Sequence, residues 1–424
     1  MKKFLLKGIL HDRGRSLLPV IVVATGAMLT VLLYSWLTGV MGESLEMSSN
    51  FMTGDVKVTT RAYAADADQF PNDLAILDSD LLVEELRKVE PSVDWVSRIR
   101  FGALADFPDS AGETRGQGPV AGWAIDLFTE GSQEAQRFNL AASIVRGAMP
   151  ESPGECLISE DLASRFNVEP GEEFTLFGTT MEGGFSFTNF IVAGTVRFGS
   201  AGLDRGAVVI DLNDARNAFA MQGAAGEILG YLPETYFDED EAEAVKVKLN
   251  ARWAADTDEF APVAQTLRDM PGMGDLLDYT KSISGFMIFI FVSAMTIVLW
   301  NGGLLGGLRR YTEFGVRIAL GEDKGHIYRS LLWEALMIGA IGSVIGTAIG
   351  VAVATSLNIH GVDISGMMKN ATMLMPSIVR PAVDSVIYYI GFIPGVFSMV
   401  LGNALAGAGI YKRETARLFN ELEV

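Results

Sequence analysis

A single cysteine, Cys156, and only three histidines, His11, His326 and His360, occur in 424 residues. One thiol excludes an intrachain disulfide and any cysteine-based metal cluster, and three scattered imidazoles offer no ligand set for zinc. Catalytic signatures are missing too. No GxxxxGK[ST] loop is present to cradle nucleotide phosphates, no GxSxG elbow presents a nucleophile, and neither HExxH nor CxxC occurs. Basic charge is scarce where the chain is polar. Residues 41–282 hold 42 Asp and Glu against 18 Lys and Arg, a net −24, and such a surface repels nucleic-acid phosphates. The remainder carries +5 on a far more apolar background. An acidic soluble block is therefore joined to a basic, greasy one.

The greasy part contains four runs. The first, "LLPVIVVATGAMLTVLLYSWLTGV", has about 24 uncharged residues, enough at 1.5 Å per residue to cross a ~30 Å hydrocarbon core. It follows Lys2, Lys3 and Lys7, as a signal peptide would, but exceeds the usual ~7–15 apolar residues and lacks a small-x-small cleavage site, so it reads as a retained anchor. Three more runs follow near the C-terminal end. Lys and Arg cluster before the first run, between the second and third, and after the fourth, which places those segments on the cytoplasmic side. The expected order is a cytoplasmic segment (1–16), a first span (17–40), an extracytoplasmic domain (41–282), a second span (283–308) and a cytoplasmic loop (309–329). A third span (330–357), a short outer loop (358–385), a fourth span (386–410) and a cytoplasmic tail (411–424) complete it. Pro19 and Pro394 are expected to kink their helices. Glu334, one turn inside the third span, is expected to pair with Arg329 or reach the interface. No carboxylate or Lys sits mid-span, so a proton or ion relay lacks its carriers. Gly342, Gly346 and Gly350 form a small-xxx-small row suited to close helix packing.

The acidic block reads as mixed α/β. Strand-like alternation occurs in Gly54–Thr60, Glu155–Ser159, Glu173–Gly178, Phe190–Val196 and Gly206–Leu212. Helices are expected over Ser79–Glu90, capped by Ser79 or Asp80, over Ser159–Asn167 with Ser159 as cap, and from Asp211. The acidic run Phe237–Ala244 reads as a solvated helix start, and Cys156 as a buried small hydrophobe. The fold class expected is α+β: four transmembrane helices, one N-terminal and three C-terminal, around a large mixed α/β extracytoplasmic domain.

Between the second and third runs lies "RRYTEFGVRIALGEDKGHIYR" (Arg309–Arg329). Tyr311, Phe314 and Ile318 share one side of a short helix, Glu313 and Arg317 stand four apart, Gly321 suits its end, and Glu322 or Asp323 the next start. From pattern alone this is either an interfacial helix on anionic lipid or a docking element.

The whole layout resembles the FtsX/MacB-type (type VII) permeases of ABC transporters. Their second span ends in R-x-x-E-[IF]-G-[IV]-R-x-A-[LV]-G followed by I-x-x-x-x-x-x-E-A. Arg310, Glu313, Phe314, Gly315, Val316, Arg317, Ala319, Leu320 and Gly321 match, and Ile327, Glu334 and Ala335 follow in register. "VAGWAID", "GECLISEDLASRFNVEPGEEFTL" and "VVIDLNDARNAF" are similar to the MacB-like periplasmic core. "NFMTGDVKVTTRAYAADADQFPND" and "GVDISGMM" look most like the lipoprotein-releasing LolC/LolE permeases. The tail departs from the family, ending "RLFNELEV" with no proline before its last aliphatic residue.

The resemblance implies a non-catalytic permease of the bacterial cytoplasmic membrane with both termini cytoplasmic. It implies two cytoplasmic ABC ATPase subunits that hold the ATP and Mg, and no cofactor on this chain. It implies a second permease chain, lipoprotein or lipid-like cargo, a periplasmic carrier and surrounding membrane lipids. Arg310, Tyr311, Glu313, Phe314, Gly315, Arg317, Ile318, Leu320 and Gly321 would couple to the ATPase. Leu33, Trp36, Leu37, Val40, Phe286, Phe289 and Ile290 would line a cavity for acyl chains. Two other readings stay open: a MacB-like efflux permease, usually carrying a fused ATPase that is missing here, and an FtsX-like scaffold controlling a cell-wall hydrolase, which needs a smaller outside domain. A receptor would need a larger cytoplasmic part than about 20 residues.

Overall fold

A computed structural model of the chain describes residues 13–109, 111–199, 201–233, 237–363 and 378–412. Expectations resting on Lys2, Lys3, Lys7, the tail "RLFNELEV" and most of "GVDISGMM" lie outside the described residues. The chain divides into two compact units. One comprises Met1–Met41, Tyr279–Asp363 and Ile378–Val424; the other comprises Gly42–Asp278 and Ile364–Ser377.

In chain order the strands and longer helices up to residue 265 are α1 (Arg13–Met52), β1 (Val56–Thr60), α2 (Ser79–Val89), β2 (Asp94–Pro108), β3 (Thr114–Ile125), β4 (Ile144–Gly147), β5 (Glu155–Ser159), α3 (Glu160–Phe166), β6 (Glu173–Thr179), β7 (Phe185–Val196), β8 (Ala207–Asp211), α4 (Leu212–Ala218), β9 (Glu227–Tyr231), α5 (Glu239–Trp253) and β10 (Pro262–Gln265). The ladder runs β10-β1-β9-β2-β3-β8-β5-β7-β4. Because β6 bonds both β2 and β7, the pairing β2-β3-β8-β5-β7-β6 returns on itself as a ring of six strands. All six contribute to one core, among them Ile99, Phe101, Val120, Cys156, Phe174, Phe190 and Val208. On β2 these are alternate residues, as the pleat requires. The strand's first five residues, Asp94–Arg98, pair with β9 instead. There Val56, Val58, Trp95 and Ile228 pack under Val83 and Leu86 of α2 and Val245 and Leu249 of α5. One 15-residue strand thus serves two cores.

Local chemistry explains most helix starts. Ser159 accepts from Leu162 N at the start of α3, and Asp211 from Asn213 N at the start of α4. Asp238 accepts from Asp240 N and Glu241 N at the acidic entry to α5. The helix α2 differs from expectation. Asp78 occupies its cap position, and neither Ser79 nor Asp80 caps it: the Ser79 hydroxyl donates to Gly223 O at 3.0 Å, and Asp80 receives Arg216 at 3.0 Å. Tertiary partners have claimed both groups. Cys156 is buried in the ring core, and burial pushes its thiol well above the usual range.

Several charged groups are buried in this unit, among them the pairs Lys57–Glu227 and Arg98–Glu134 and the carboxyl of Asp55. Arg98 donates to Glu134 at 2.6 and 3.0 Å, to Tyr231 Oη at 2.6 Å and to Asn50 O at 2.5 Å, and it stacks over Phe138. Both members of the pair are at most 1% exposed. Asp55 accepts from Leu232 N at 2.7 Å, and burial pushes its carboxyl up to about 6. On the outer face of the ring, by contrast, Phe185 and Phe187 are 84% and 65% exposed.

Four stretches are long and apolar enough to cross a membrane, Leu17–Met52, Met273–Ala319, Lys324–His360 and Ser385–Ala408, and all but the polar ends of the first two (42–52 and 273–278) belong to the apolar unit. Its elements beyond α1 are α6 (Met273–Leu308), α7 (Tyr311–Ala319), α8 (Lys324–His360) and α9 (Ser398–Lys412). At 40 and 36 residues, α1 and α6 outrun the spans expected from the apolar runs, because helix continues into polar sequence. Pro19 does not interrupt α1. The fourth stretch is not one helix: a 3-10 turn (Ser385–Tyr388) and a π-turn (Ile393–Phe397) containing Pro394 precede α9. Pro394 lacks the N–H that would continue the ladder, and a π-turn absorbs the defect.

Replacing Arg98 by Met leaves the buried Glu134 with only Arg137, at 3.2 Å, and should cost about 3 kcal/mol, read as a lowered unfolding midpoint of the full-length chain. Asp55 predicts a pH slope. Its folded value lies above the ordinary 3.8, so folding is favoured while it is protonated. Its contribution is fullest below 3.8 and is lost as pH rises through about 6. Asp55→Asn should flatten that slope in calorimetric unfolding between these limits.

Candidate functional site

Close backbone contact builds the helical unit. A Cβ on Gly342 would lie 2.7 Å from Val23, one on Gly350 would lie 2.9 Å from Val31, and one on Gly346 would run into the carbonyl of Ala24. The glycine row of α8 therefore faces α1. Gly303 and Gly307 of α6 meet Met399, Asn403 and Ala406 of α9 in the same way, a pairing the sequence signalled only as "GGLLGG". At the other end the segment 380–384 lies across α1. Ser35 Oγ donates to Ala382 O at 2.5 Å, Tyr34 Oη to Asp384 at 2.6 Å, and Gly39 lets the Arg380–Ala382 backbone approach.

The loop after α6 forms a short helix, as its pattern predicts, but turns its apolar stripe inward. Tyr311, Phe314 and half-buried Ile318 pack on Ile327 and Leu331 of α8, and Tyr311 Oη donates to Ala406 O at 2.6 Å. Gly315 is buried as well. Exposed apolar surface on α7 comes instead from Val316 (47%) and the following Leu320 (83%). Gly321, at φ +93°, ends the helix: its N–H bonds Ile318 O, and Glu322 N–H bonds Arg317 O. Asp323 then caps α8 through His326 N. Arg310 stands at the joint between α6 and α7, 2.7 Å from Glu334 and 3.6 Å from Glu313. Glu334 thus pairs with Arg310 rather than Arg329. Five residues along a helix turn Arg329 about 140° away from Glu334, while Arg310 comes from another element.

The seven residues expected to line a cargo cavity separate. Leu33, Trp36, Leu37 and Val40 are half-buried on α1. Phe286, Phe289 and Ile290 are exposed on α6, roughly a quarter to half a turn from the Ile288, Val292 and Leu299 face that packs inward. One chain does not enclose a site from them. A separate cavity of about 80 Å³ is lined by Gly302, Gly303, Gly306, Arg310, Glu334 and Asn403 together with Pro19 of α1 and apolar residues of α8 and α9. Among the described residues no cluster of three or more His, Cys, Asp or Glu could hold a metal ion.

The glycine contacts separate two kinds of position. Gly346→Ala should lower the unfolding midpoint through an overpacking cost of about 1–3 kcal/mol. Gly302→Ala should hold or raise it, because nothing lies within 4 Å of its new methyl.

Comparison with protein families matches residues 16–260 to the MacB-like periplasmic core domain and residues 285–415 to the FtsX-like permease C-terminal domain. Among solved structures, the periplasmic region of MacB from Actinobacillus actinomycetemcomitans is similar at 11% identity and a TM-score of 0.34, over 54% of this chain and 92% of that one. No curated protein matches the sequence. The first family match alone spans more than half of the 424 residues, and the chain belongs to the FtsX/MacB-type permeases of ABC transporters.

Proposed function

We propose that this permease releases lipoproteins, or similarly acylated cargo, from the outer leaflet of the bacterial cytoplasmic membrane, powered by a separate cytoplasmic ATPase. Permeases of this family work with ATPase partners in ABC transporters, and this chain's sequence carries no phosphate loop of its own. In this reading α7 is the coupling helix. It lies on the cytoplasmic side with both termini, and the acidic unit is periplasmic. A pair of permease chains, alike or different, binds two ATPase subunits, and ATP-driven closure moves the periplasmic domains without threading cargo through the bilayer.

One observation carries the choice of cargo. Phe286, Phe289, Ile290, Ile297 and Val298 leave α6 exposed and apolar on the sides away from its bundle contacts. No Asp, Glu, Lys or Arg occurs from Ser282 to Leu308. A second permease chain brought against this surface would enclose it with the half-buried Leu33, Trp36, Leu37 and Val40. The resulting space accepts hydrocarbon and repels ions. The LolC/LolE-like stretches of sequence point the same way.

The decisive measurement is reconstitution of the chain with its ATPase in proteoliposomes containing a fluorescent triacylated lipoprotein. ATP should release the lipoprotein to a soluble carrier. Normal ATP hydrolysis with no release would overturn the lipoprotein reading and favour control of a hydrolase or efflux of soluble substrates. Because Phe314 is buried against α8, an acidic residue there tests folding rather than docking. Leu320→Asp is the cleaner probe: it should weaken ATPase association by about tenfold or more, the size of a modest interface hot spot, with an unchanged unfolding midpoint.

A further inference from the structure

We propose that Glu334 is a positioning residue: its ion pair with Arg310 acts as a strut across a cavity and sets how the α7 helix moves with α6 and α8. The proposal rests on the reading of α7 as the coupling helix. It begins from an asymmetry in the last two turns of α6, "NGGLLGGL". Two of the four glycines there are explained by packing. A Cβ on Gly307 would press on Ala406 at 2.6 Å, and one on Gly303 would approach Met399 and Asn403 of α9 at 3.4 Å. The other two, Gly302 and Gly306, have nothing within 4 Å. They open instead onto the cavity whose far side is Leu331, Glu334, Ala335 and Ile338 of α8. At this level α6 is tight against α9 and separated from α8 by a gap.

The Arg310 guanidinium crosses that gap. Its Nη1 lies 2.7 Å from Glu334 Oε2, with both side chains about one-fifth exposed. Arg310 is also the residue at which α6 ends and α7 begins, with φ −98° and ψ 3° outside regular helix. The joint is therefore held by charge where its neighbours are held by contact. Immediately after it Tyr311, and about one turn further on Phe314, seat α7 on Ile327 and Leu331. These two attachments differ in kind. The seat's apolar contacts tolerate a small rotation and its Tyr311–Ala406 hydrogen bond ties α7 to α9, whereas the Arg310–Glu334 pair gives the link to α8 a defined length and direction. Rotation of α7 about its seat must lengthen or redirect the Arg310–Glu334 pair, and the glycine-lined cavity is the room into which α6 then bends.

Amide hydrogen exchange on the full-length chain in nanodiscs, with and without the ABC ATPase, tests this. In Glu334→Gln, amides 309–314 should exchange about tenfold faster, the loss expected when a charged hydrogen bond becomes a neutral one. Affinity for the ATPase should stay within about twofold of wild type, since Val316 and Leu320 are untouched, while permease-stimulated ATP turnover falls by about tenfold. Such a split between binding and turnover is not expected of a purely structural residue. Glu334→Asp, which keeps the charge on a shorter arm and leaves Arg310 and Glu313 untouched, should give an intermediate response in both readouts. Unchanged exchange and turnover in Glu334→Gln, or in Glu334→Asp if the Gln variant folds poorly, overturns the strut. Absence of any ATPase binding by wild type would instead overturn the coupling-helix reading, and the exchange rates alone would then decide the proposal.

Discussion

Helices surrounded by hydrocarbon gain nothing by hiding apolar surface from it, so they associate largely where their backbones come close enough for dense contact, aided by hydrogen bonds between them. That constraint organises the helical unit. The glycine row of α8 receives Val23, Ala24 and Val31 of α1, Gly303 and Gly307 of α6 receive α9, and Gly39 receives the segment that crosses α1. Each contact uses the absence of a side chain, and each has its complement on a different element. Bulky residues left over, such as Phe286 and Phe289, then have no role inside the bundle and remain on its surface. The apolar exterior face that suits this unit to a bilayer follows from what its interior cannot accommodate.

The polar unit obeys the opposite rule, because water rewards burial there. Its ring of six strands gathers side chains from every strand, and its long β2 continues beyond the ring into a second core. The most deeply buried guanidinium sits where several partners converge. Arg98 is satisfied by a carboxylate, a phenol and a backbone carbonyl at once, which offsets the cost of desolvating it.

Much of this was legible beforehand because periodicity and capping are local. The apolar runs, the strand-like alternation in Glu155–Ser159 and Phe190–Val196, and the caps at Ser159 and Asp211 need only neighbours in sequence. What escaped was non-local. The pairing of β6 with β2 joins residues about 70 apart, and nothing in either strand announces it. Ser79 was diverted from capping by Gly223, and Glu334 was taken by Arg310 rather than by its sequence neighbour Arg329. The α7 stripe was visible as a pattern, but a stripe does not say which way it faces; the contact with α8 decided that. Gly302 and Gly307 look identical in sequence and differ only in what stands opposite.

Cys156 lies in the ring core without exposed surface, and its thiol is held protonated by burial. Since the thiolate is the reactive form, the folded chain behaves toward alkylating and spin-labelling reagents as though it had no cysteine. A thiol introduced at the surface of either unit would then report alone. The natural sequence is thus already a background on which distances between the acidic unit and the helices can be followed through a nucleotide cycle, with no residue removed first.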